Sequence, residues 1–142
     1  MPSNDPYRAY NFKLDIQGVV YGHFSACSGL NFKVPSIAYR EGGASGAIRK
    51  LPGRPEYGDL TLHYGLSDSI ELWEWATSAV QGRVQRRNVS VVLLDADGVT
   101  EVVRWNLHAA WVTAWNGAKL DSLANEVAIE RVTLTFESLE RA

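Results

Sequence analysis

The chain has 142 residues and a mass of 15.7 kDa, which fits one domain, 1–142, rather than two. A hydrophobic share of 46% and a charged share of 21% exclude a wholly disordered or fibrous protein. The formal charge of −2 excludes the basic excess of proteins that track nucleic-acid phosphates, so no nucleic-acid specificity is expected. The single cysteine, Cys27, excludes an internal disulfide framework and a cysteine-cluster zinc site.

The N-terminal residues lack a basic region followed by an apolar run, which is the pattern of a signal peptide. No stretch approaches the roughly 20 apolar residues that a membrane-spanning helix needs. We therefore expect the protein to fold and assemble in the cytoplasm, without a signal peptide.

The first predicted elements are strands. Residues 10–16 alternate between apolar and polar side chains, as in a half-buried strand. Residues 19–25 and 32–39 predict two further strands, and Pro35 makes an edge position or a bulge the expectation for the second.

Residues 40–58 contain five glycines and two prolines and are predicted to form the longest loop. Structureless loops of this length in compact domains are usually functional or disordered. The loop carries a net charge of +2. It contains four basic residues and two acidic ones: Arg40, Arg49, Lys50 and Arg54, and Glu41 and Glu56.

Residues 59–66 predict a strand, and the period then changes to that of a helix over 69–81. Ile70, Trp73 and Val80 recur at helical spacing and are predicted to form its buried stripe. A capping pair and a glycine mark the predicted ends: Asp68 with Glu71, and Gly82.

The Asp-Gly pair at 97–98 lies between two apolar runs, which is a strong signal for a β-hairpin. A two-residue turn there would place Leu94 opposite Glu101 and Val92 opposite Val103.

Residues 107–115 and 126–139 complete the predicted strands, the last with a bulge expected near 130–131. The hairpin and the 107–115 strand are apolar on both faces, although the chain predicts only one helix to cover them. A neighbouring copy is therefore expected to cover Val103 and Val112. The fold class is mostly β: an antiparallel sandwich or barrel with one flanking helix and a long loop.

No motif carries catalytic, cofactor-binding or metal-binding chemistry. The glycine-rich loop lacks the Gly-Lys-Ser/Thr ending of a phosphate site, and the three histidines lie far apart at 23, 63 and 108. Two features leave alternatives open. Trp73 and Trp75 are core residues or a carbohydrate- or base-stacking platform, and the arginines at 83, 86 and 87 are a solvated cluster or a docking patch.

The ordered segments of the chain resemble the phage tail-tube family, and most closely inner tube proteins of contractile injection systems. The resemblance runs from about residue 5 to the end and rests on FKLDIQG (12–18), FSACSGL (24–30), YREGG (39–43), RKLPG (49–53), YGDLTL (57–62), LWEW (72–75), RNVSVVLLDADG (87–98) and RWNLHAAW (104–111). The family is also similar in fold to the haemolysin-coregulated tube protein of type VI secretion.

This resemblance implies a structural protein without catalytic residues. Its subunits would form hexameric rings that stack into a hollow tube, which a contractile sheath drives through a target envelope. The implied partners are further copies, the sheath protein, baseplate, spike and cap proteins, and cargo effectors in the lumen. The particle would be extracellular, cytoplasmic or membrane-anchored. The alternative is a soluble ligand-binding β-sandwich with a tryptophan-lined site.

The loop is the predicted contact between subunits, including those of the next ring. Its basic charge matches the net charge of −3 in 121–141, and complementary charge guides encounter and register between partners. We expect the loop to become ordered only on assembly, through these residues: Arg40, Glu41, Ile48, Arg49, Lys50, Leu51, Arg54 and Tyr57.

Overall fold

The computed structural model describes residues 11–17, 24–40, 47–65, 70–123 and 126–142. Within these ranges the chain forms eleven strands and one helix. Their bounds are β1 Phe12–Ile16, β2 Phe24–Ser28, β3 Phe32–Lys33, β4 Ser36–Arg40, β5 Ile48–Pro52, β6 Glu56–Tyr57, β7 Leu60–Gly65, α1 Glu71–Val80, β8 Arg87–Leu94, β9 Glu101–Asn116, β10 Ile129–Thr135 and β11 Ser138–Arg141.

Strand β9 organises the main sheet because it is long enough to pair along both halves. Its first half pairs with β8 and β11, and its second half pairs with β10. The order β1-β8-β9-β10-β7-β2 is antiparallel throughout, and in the described residues it does not close into a barrel. The prediction of a mostly β, antiparallel fold with one helix is confirmed.

The core draws on both halves of the sheet, which therefore curves around it. Fully buried side chains come from β7, β8, β9, β10 and α1, and β1 adds one more: Leu60, Leu62, Val89, Leu107, Val132, Leu134, Leu72, Trp75 and Ile16. Three apolar residues that alternate with polar ones in the predicted last strand are buried here: Val132, Leu134 and Phe136.

A bulge in β9 explains why the 107–115 segment looks apolar on both faces. Ala109 has a φ of +55°, and β9 uses one more residue than β8 between the pairs that join Val89 to Leu107 and Arg87 to Ala110. Leu107 and Ala110 consequently both point into the core with no exposed surface. Strict two-residue alternation along 107–115 would place Leu107 and Ala110 on opposite faces, and the bulge overrides that pattern.

The bulge expected near 130–131 is also displaced. The pairing of β10 with β7 is regular from Ile129 to Leu134. The irregularity lies against β9, where Thr113 is the extra residue between the partners of Thr133 and Leu134.

The predicted hairpin is present as β8 and β9, but its loop is longer than two residues. Leu94 lies opposite Glu101 as predicted, whereas Val92 lies opposite Arg104 instead of Val103. The register shifts by one residue directly before Leu94, which is the reason for the difference.

Side-chain chemistry lengthens this loop. The Asp97 carboxylate accepts hydrogen bonds from the backbone N–H groups of Val99 and Thr100, both at 2.9 Å. Asp95 N–H donates to the carbonyl of Thr100 at 2.8 Å and closes the loop. A side chain that bonds its own neighbouring backbone stabilises a wider turn than Asp-Gly alone would form.

Helix α1 ends as the sequence predicts. Gly82 adopts a φ of +73°, its N–H donates to Ala79, and the Arg83 N–H donates to Ser78. These two bonds form a Schellman motif, in which glycine avoids the strain of a left-handed backbone. At the other end Ile70 holds the cap position without a side-chain hydrogen bond, and the predicted capping residue Asp68 lies outside the described residues.

The buried face of α1 differs from the predicted one. Ile70, Trp73 and Val80 are 59%, 47% and 86% exposed, whereas Leu72 and Trp75 are each 1% exposed. Both sets recur at helical spacing, so periodicity alone does not decide which of them faces the sheet.

The prediction of a loop over 40–58 is wrong at Arg40, 48–52 and 56–57, which lie in strands. Strand β5 pairs with β4 along its whole length, and β6 pairs with β3. Both pairings lie within a single chain. The remaining segment, 41–46, lies outside the described residues.

Candidate functional site: an exposed arm and a helix face

Strands β4 and β5, here called the arm, form a hairpin in which all ten residues are exposed. Cross-strand partners share a face, so Ile37 with Leu51 and Tyr39 with Arg49 define one side of the arm. The three apolar side chains on that side are 54%, 44% and 49% exposed, for Ile37, Leu51 and Tyr39 respectively. The arm therefore presents an apolar face that the described part of the chain leaves exposed.

The arm is also basic. The charged residues of its two strands are Arg40, Arg49 and Lys50. Arg40 lies opposite Ile48, and Lys50 lies opposite Ala38, on the side away from Tyr39. Glu41 lies outside the described residues.

The remaining predicted loop residues lie outside the arm. Arg54 is exposed between β5 and β6. Tyr57 is half-buried, and its ring packs on Phe136 with centroids 5.8 Å apart. Tyr57 therefore belongs to the packing of this chain and is not an exposed anchor.

Val103 and Val112 do not form an exposed patch. They are 6% and 4% exposed, respectively, in the single chain. Packing within the chain accounts for both, so the apolar pattern of β9 carries no argument for a subunit contact. A charge at either position would disrupt the fold instead of testing an interface.

A second exposed surface lies on α1, and the sequence did not indicate it. The Trp73 and Trp115 rings meet edge to face, with centroids 4.9 Å apart and planes at 74°. Trp115 is 39% exposed. Together with Ile70 and Val80, these two rings form what we call the helix face.

The helix face is acidic along its first turn. Glu71 and Glu74 are exposed there, and the last turn of α1 carries no basic residue. A hydrogen bond holds the Trp115 ring in place, since its Nε1 donates to the Glu130 carboxylate at 3.2 Å. The same carboxylate accepts a 2.7 Å hydrogen bond from the Tyr64 hydroxyl.

The acidic segment 121–141, the predicted partner of the basic loop, is partly engaged inside its own chain. Besides Glu130, Glu137 lies 3.8 Å from the Arg86 guanidinium. Glu140 lies 2.9 Å from the His108 ring. These contacts reduce the charge that the segment offers to another subunit.

Cys27 and Asp97 are explained by their structural surroundings. Burial raises the pKa of the Cys27 thiol to about 11, so the reactive thiolate is rare at neutral pH. Hydrogen bonds from Thr100 and Val99 lower the pKa of Asp97, which fits its role in the turn. Across the described residues, no three metal-ligating side chains cluster together, and no helix is long and apolar enough to span a membrane.

The predicted alternative of a ligand platform at Trp73 and Trp75 does not fit their positions. Trp75 is buried, and its Nε1 donates to the Gln85 carbonyl at 2.7 Å. Trp73 and Trp115 meet edge to face, so they present no parallel surface for a sugar or base. Trp105 lines an open cleft of about 410 Å³ with Phe12 and Leu30, among other residues.

Comparison with known proteins agrees on one family. The family model described as "T4-like virus tail tube protein gp19" matches residues 8–140. No curated protein sequence matches the chain.

Solved structures show the same fold. A chain in the sheath–tube complex of the extracellular contractile injection system PVC is 25% identical, with a TM-score of 0.86, and the match covers 98% of this chain and 93% of that one. A chain from the PVC sheath/tube terminator is also 25% identical, with a TM-score of 0.87 and 99% of each chain covered. Hcp1 from Flavobacterium johnsoniae is 16% identical over 93% of this chain and 94% of its own, with a TM-score of 0.61, which shows the fold alone.

Proposed function

The chain belongs to the T4-like virus tail tube protein gp19 family and is a structural tube subunit, and we propose that its copies form hexameric rings that stack into the hollow inner tube of a contractile injection system. The observation that carries this proposal is the match of the family model to residues 8–140 together with the tube-like fold. The ligand-binding alternative has no support in the positions of Trp73, Trp75 and Trp115.

The partners follow from the systems in which similar chains occur. Those chains come from a sheath–tube complex, a tube terminator, a tube-terminating cap and a baseplate. We infer that this subunit contacts further copies, a contractile sheath, a baseplate with its spike, and a cap. The tube is driven through a target envelope and carries cargo in its lumen.

The role is mechanical and not enzymatic. The family is one of tube proteins, and the described residues hold a desolvated thiol and a turn carboxylate instead of an activated nucleophile or base. The work of the molecule therefore lies in contacts between copies.

The arm is the part of the subunit that bridges to another copy. Its residues Arg40, Ile48, Arg49, Lys50 and Leu51 are exposed in the single chain. Exposed apolar side chains rimmed by charge are typical of protein interfaces.

A charge-reversed arm tests this role. We expect Arg49→Glu/Lys50→Glu to fold normally, because both side chains are exposed, and to form rings or tubes poorly. The matched control, Arg49→Lys/Lys50→Arg, keeps both charges and should assemble like the wild type. Circular dichroism checks the fold, and sedimentation velocity with negative-stain microscopy measures assembly. Tubes of wild-type length from the reversed variant would show that the arm is a passive extension, and a wild type that stays monomeric at all concentrations would contradict the tube itself.

A further inference from the structure

Asn116 and Gly117 form a dipeptide that occurs once in the sequence. The chain has seven asparagines, and only Asn116 precedes a glycine. Both residues are exposed, at the point where β9 ends. Glycine has no side chain to hinder the approach of a neighbouring group to its backbone nitrogen. The pair therefore places a side-chain amide next to an accessible main-chain nitrogen.

The backbone N–H of Gly117 is free to react. The pairing of β9 with β10 ends at Asn116, which lies opposite Arg131, and within the described residues the Gly117 N–H donates no hydrogen bond. A backbone nitrogen that is held by a hydrogen bond loses that bond when it turns towards a neighbouring side chain. No such bond has to break at Gly117.

Arg131 approaches the amide of Asn116 from the neighbouring strand. Its Nε donates a hydrogen bond to Asn116 Oδ1 at 3.3 Å, and Arg131 is itself exposed. When a nucleophile attacks Asn116 Cγ, negative charge develops on this oxygen. A donor that is already aimed at the position where charge develops stabilises the transition state.

We propose that Asn116–Gly117 is a site of spontaneous deamidation, at which the chain modifies itself without a second protein. The Gly117 nitrogen loses its proton to solvent and forms a bond to Asn116 Cγ. The Cγ–Nδ2 bond breaks, and the departing nitrogen takes a proton from solvent and leaves as ammonia. The product is a five-membered succinimide. Water then opens this ring at either carbonyl, so the net reaction consumes one water, releases one ammonia and leaves aspartate or isoaspartate at 116.

The Asp-Gly pair of the β8–β9 hairpin is an internal comparison, because hydrogen bonds oppose the same ring closure there. The Gly98 N–H donates to the Asp95 carbonyl at 2.9 Å. The Asp97 carboxylate accepts hydrogen bonds from the Thr100 hydroxyl and from the backbone of Thr100 and Val99. These bonds lower the pKa of Asp97, so the protonated acid, whose hydroxyl can leave, is rare. We therefore expect little ring closure at this turn.

The two products act differently on the surrounding structure. Aspartate adds one negative charge beside Arg131, so the hydrogen bond becomes charge-assisted on both sides. Isoaspartate also lengthens the main chain by one carbon between Trp115 and Gly117. The Trp115 ring lies against Gly117, since a Cβ added to this glycine would lie 3.0 Å from the ring. Isoaspartate should therefore disturb the helix face, whereas aspartate should leave it in place.

Peptide mass spectrometry of the full chain tests the site. Wild-type protein is incubated for days at physiological temperature and neutral pH in heavy-oxygen water and is then digested. We expect the peptide with Asn116 to take up heavy oxygen and to contain aspartate and isoaspartate, while peptides with Asn88 and Asn106 stay unchanged. The matched control, Asn116→Gln, keeps an exposed amide but would have to close a six-membered ring. It should lose nearly all of the conversion.

A second pair of variants tests the part assigned to Arg131. Arg131→Leu should slow the conversion by roughly two- to tenfold, the effect of losing one hydrogen bond from the transition state. Arg131→Lys should recover part of the rate, because its ammonium group can still donate. Circular dichroism checks that each variant is folded.

Three results would count against the proposal. Conversion at Asn116 that is no faster than at Asn88 and Asn106 would overturn the site. Conversion to aspartate without any isoaspartate would overturn the succinimide route. An unchanged rate in Arg131→Leu would overturn the part assigned to Arg131. Each result is obtained from the chain itself and leaves the proposed tube function standing.

Discussion

Gly29 sits where no other residue fits. Its φ is +103°, and an added Cβ would collide with the backbone carbonyl of Asp59, just before β7. A left-handed backbone is unfavourable for residues with a Cβ, and a rigid backbone oxygen does not move aside cheaply. The close approach between the end of β2 and the start of β7 therefore depends on this glycine.

We expect Gly29→Ala to lower the free energy of unfolding by roughly 2 kcal/mol or more, from backbone strain together with the collision. Gly65→Ala is the matched control, because nothing lies within 4 Å of the Cβ it would add. Chemical denaturation followed by tryptophan fluorescence measures both variants. Equal stability of the two would contradict the tight approach of β2 to β7.

At the scale of the element, the two tryptophans of α1 have different roles despite their separation by one residue. Trp75 is 1% exposed and donates a hydrogen bond to Gln85, whereas Trp73 is 47% exposed and contacts Trp115. The sequence assigned Trp73 to the core because it lies on an apolar stripe. The alternative stripe through Leu72 and Trp75 has the same spacing, and only the packing against the sheet distinguishes them.

Replacing each of these tryptophans with alanine should separate stability from assembly. Trp75→Ala should cost about 3–5 kcal/mol of unfolding free energy, as expected for a large buried side chain. Trp73→Ala should lose about 0.5–1.5 kcal/mol from its aromatic contact and should impair assembly in a folded protein. Thermal denaturation and sedimentation velocity measure the two effects. A larger loss of stability from Trp73→Ala would contradict the buried face described here.

The arm is a hairpin in a segment whose composition predicted a loop. Glycines and prolines through 40–58 predicted a loop, and the sequence offers no long alternation there. Cross-strand pairing of Ile37 with Leu51 forms a hairpin instead. A short exposed hairpin buries no face, so the period-2 pattern that identifies half-buried strands is weak in it.

The β8–β9 hairpin illustrates the same limit in its register. The Asp-Gly pair at 97–98 identified the turn, and Leu94 opposite Glu101 was correct. The pairs beyond Leu94 were wrong by one residue, because local patterns do not reveal where a strand gains an extra residue. The same limit applies to Ala109, which reverses the faces of β9.

For the whole molecule, the family and the sheet class were accessible from sequence, whereas the interaction surfaces were not. The family was accessible because several short segments resemble the tail-tube family in the same order along the chain, which is more specific than any one of them alone. The helix face is exposed because a different stripe of α1, with Leu72 and Trp75, packs against the sheet. The sequence pattern instead predicted that Ile70, Trp73 and Val80 would be buried.

The exposed charges were partly visible from the sequence. The basic residues of 40–58 are exposed as expected, although they lie largely in strands, whereas Glu130, Glu137 and Glu140 engage their own chain.

Assembly of the tube should depend on ionic strength in its rate more than in its final extent. The arm carries three cations, and such charges steer the encounter between copies over a Debye length of about 10 Å at 0.1 M salt but only about 3 Å at 1 M. Once the arm has docked on another copy, the contacts of its apolar side chains Ile37, Tyr39 and Leu51 are not screened by salt. We therefore expect high sodium chloride to slow elongation, measured by light scattering, without dissolving preformed tubes.

The charge-reversed arm is the control for this prediction. In Arg49→Glu/Lys50→Glu, salt should no longer slow elongation, because screening now weakens a repulsion between the reversed arm and acidic groups of the neighbouring copy. Whatever assembly remains should be unchanged or faster at high salt. A wild-type elongation rate that does not vary between low and high salt would show that the basic arm does not steer the encounter. Apolar contact and shape would then have to set the register between copies without help from charge.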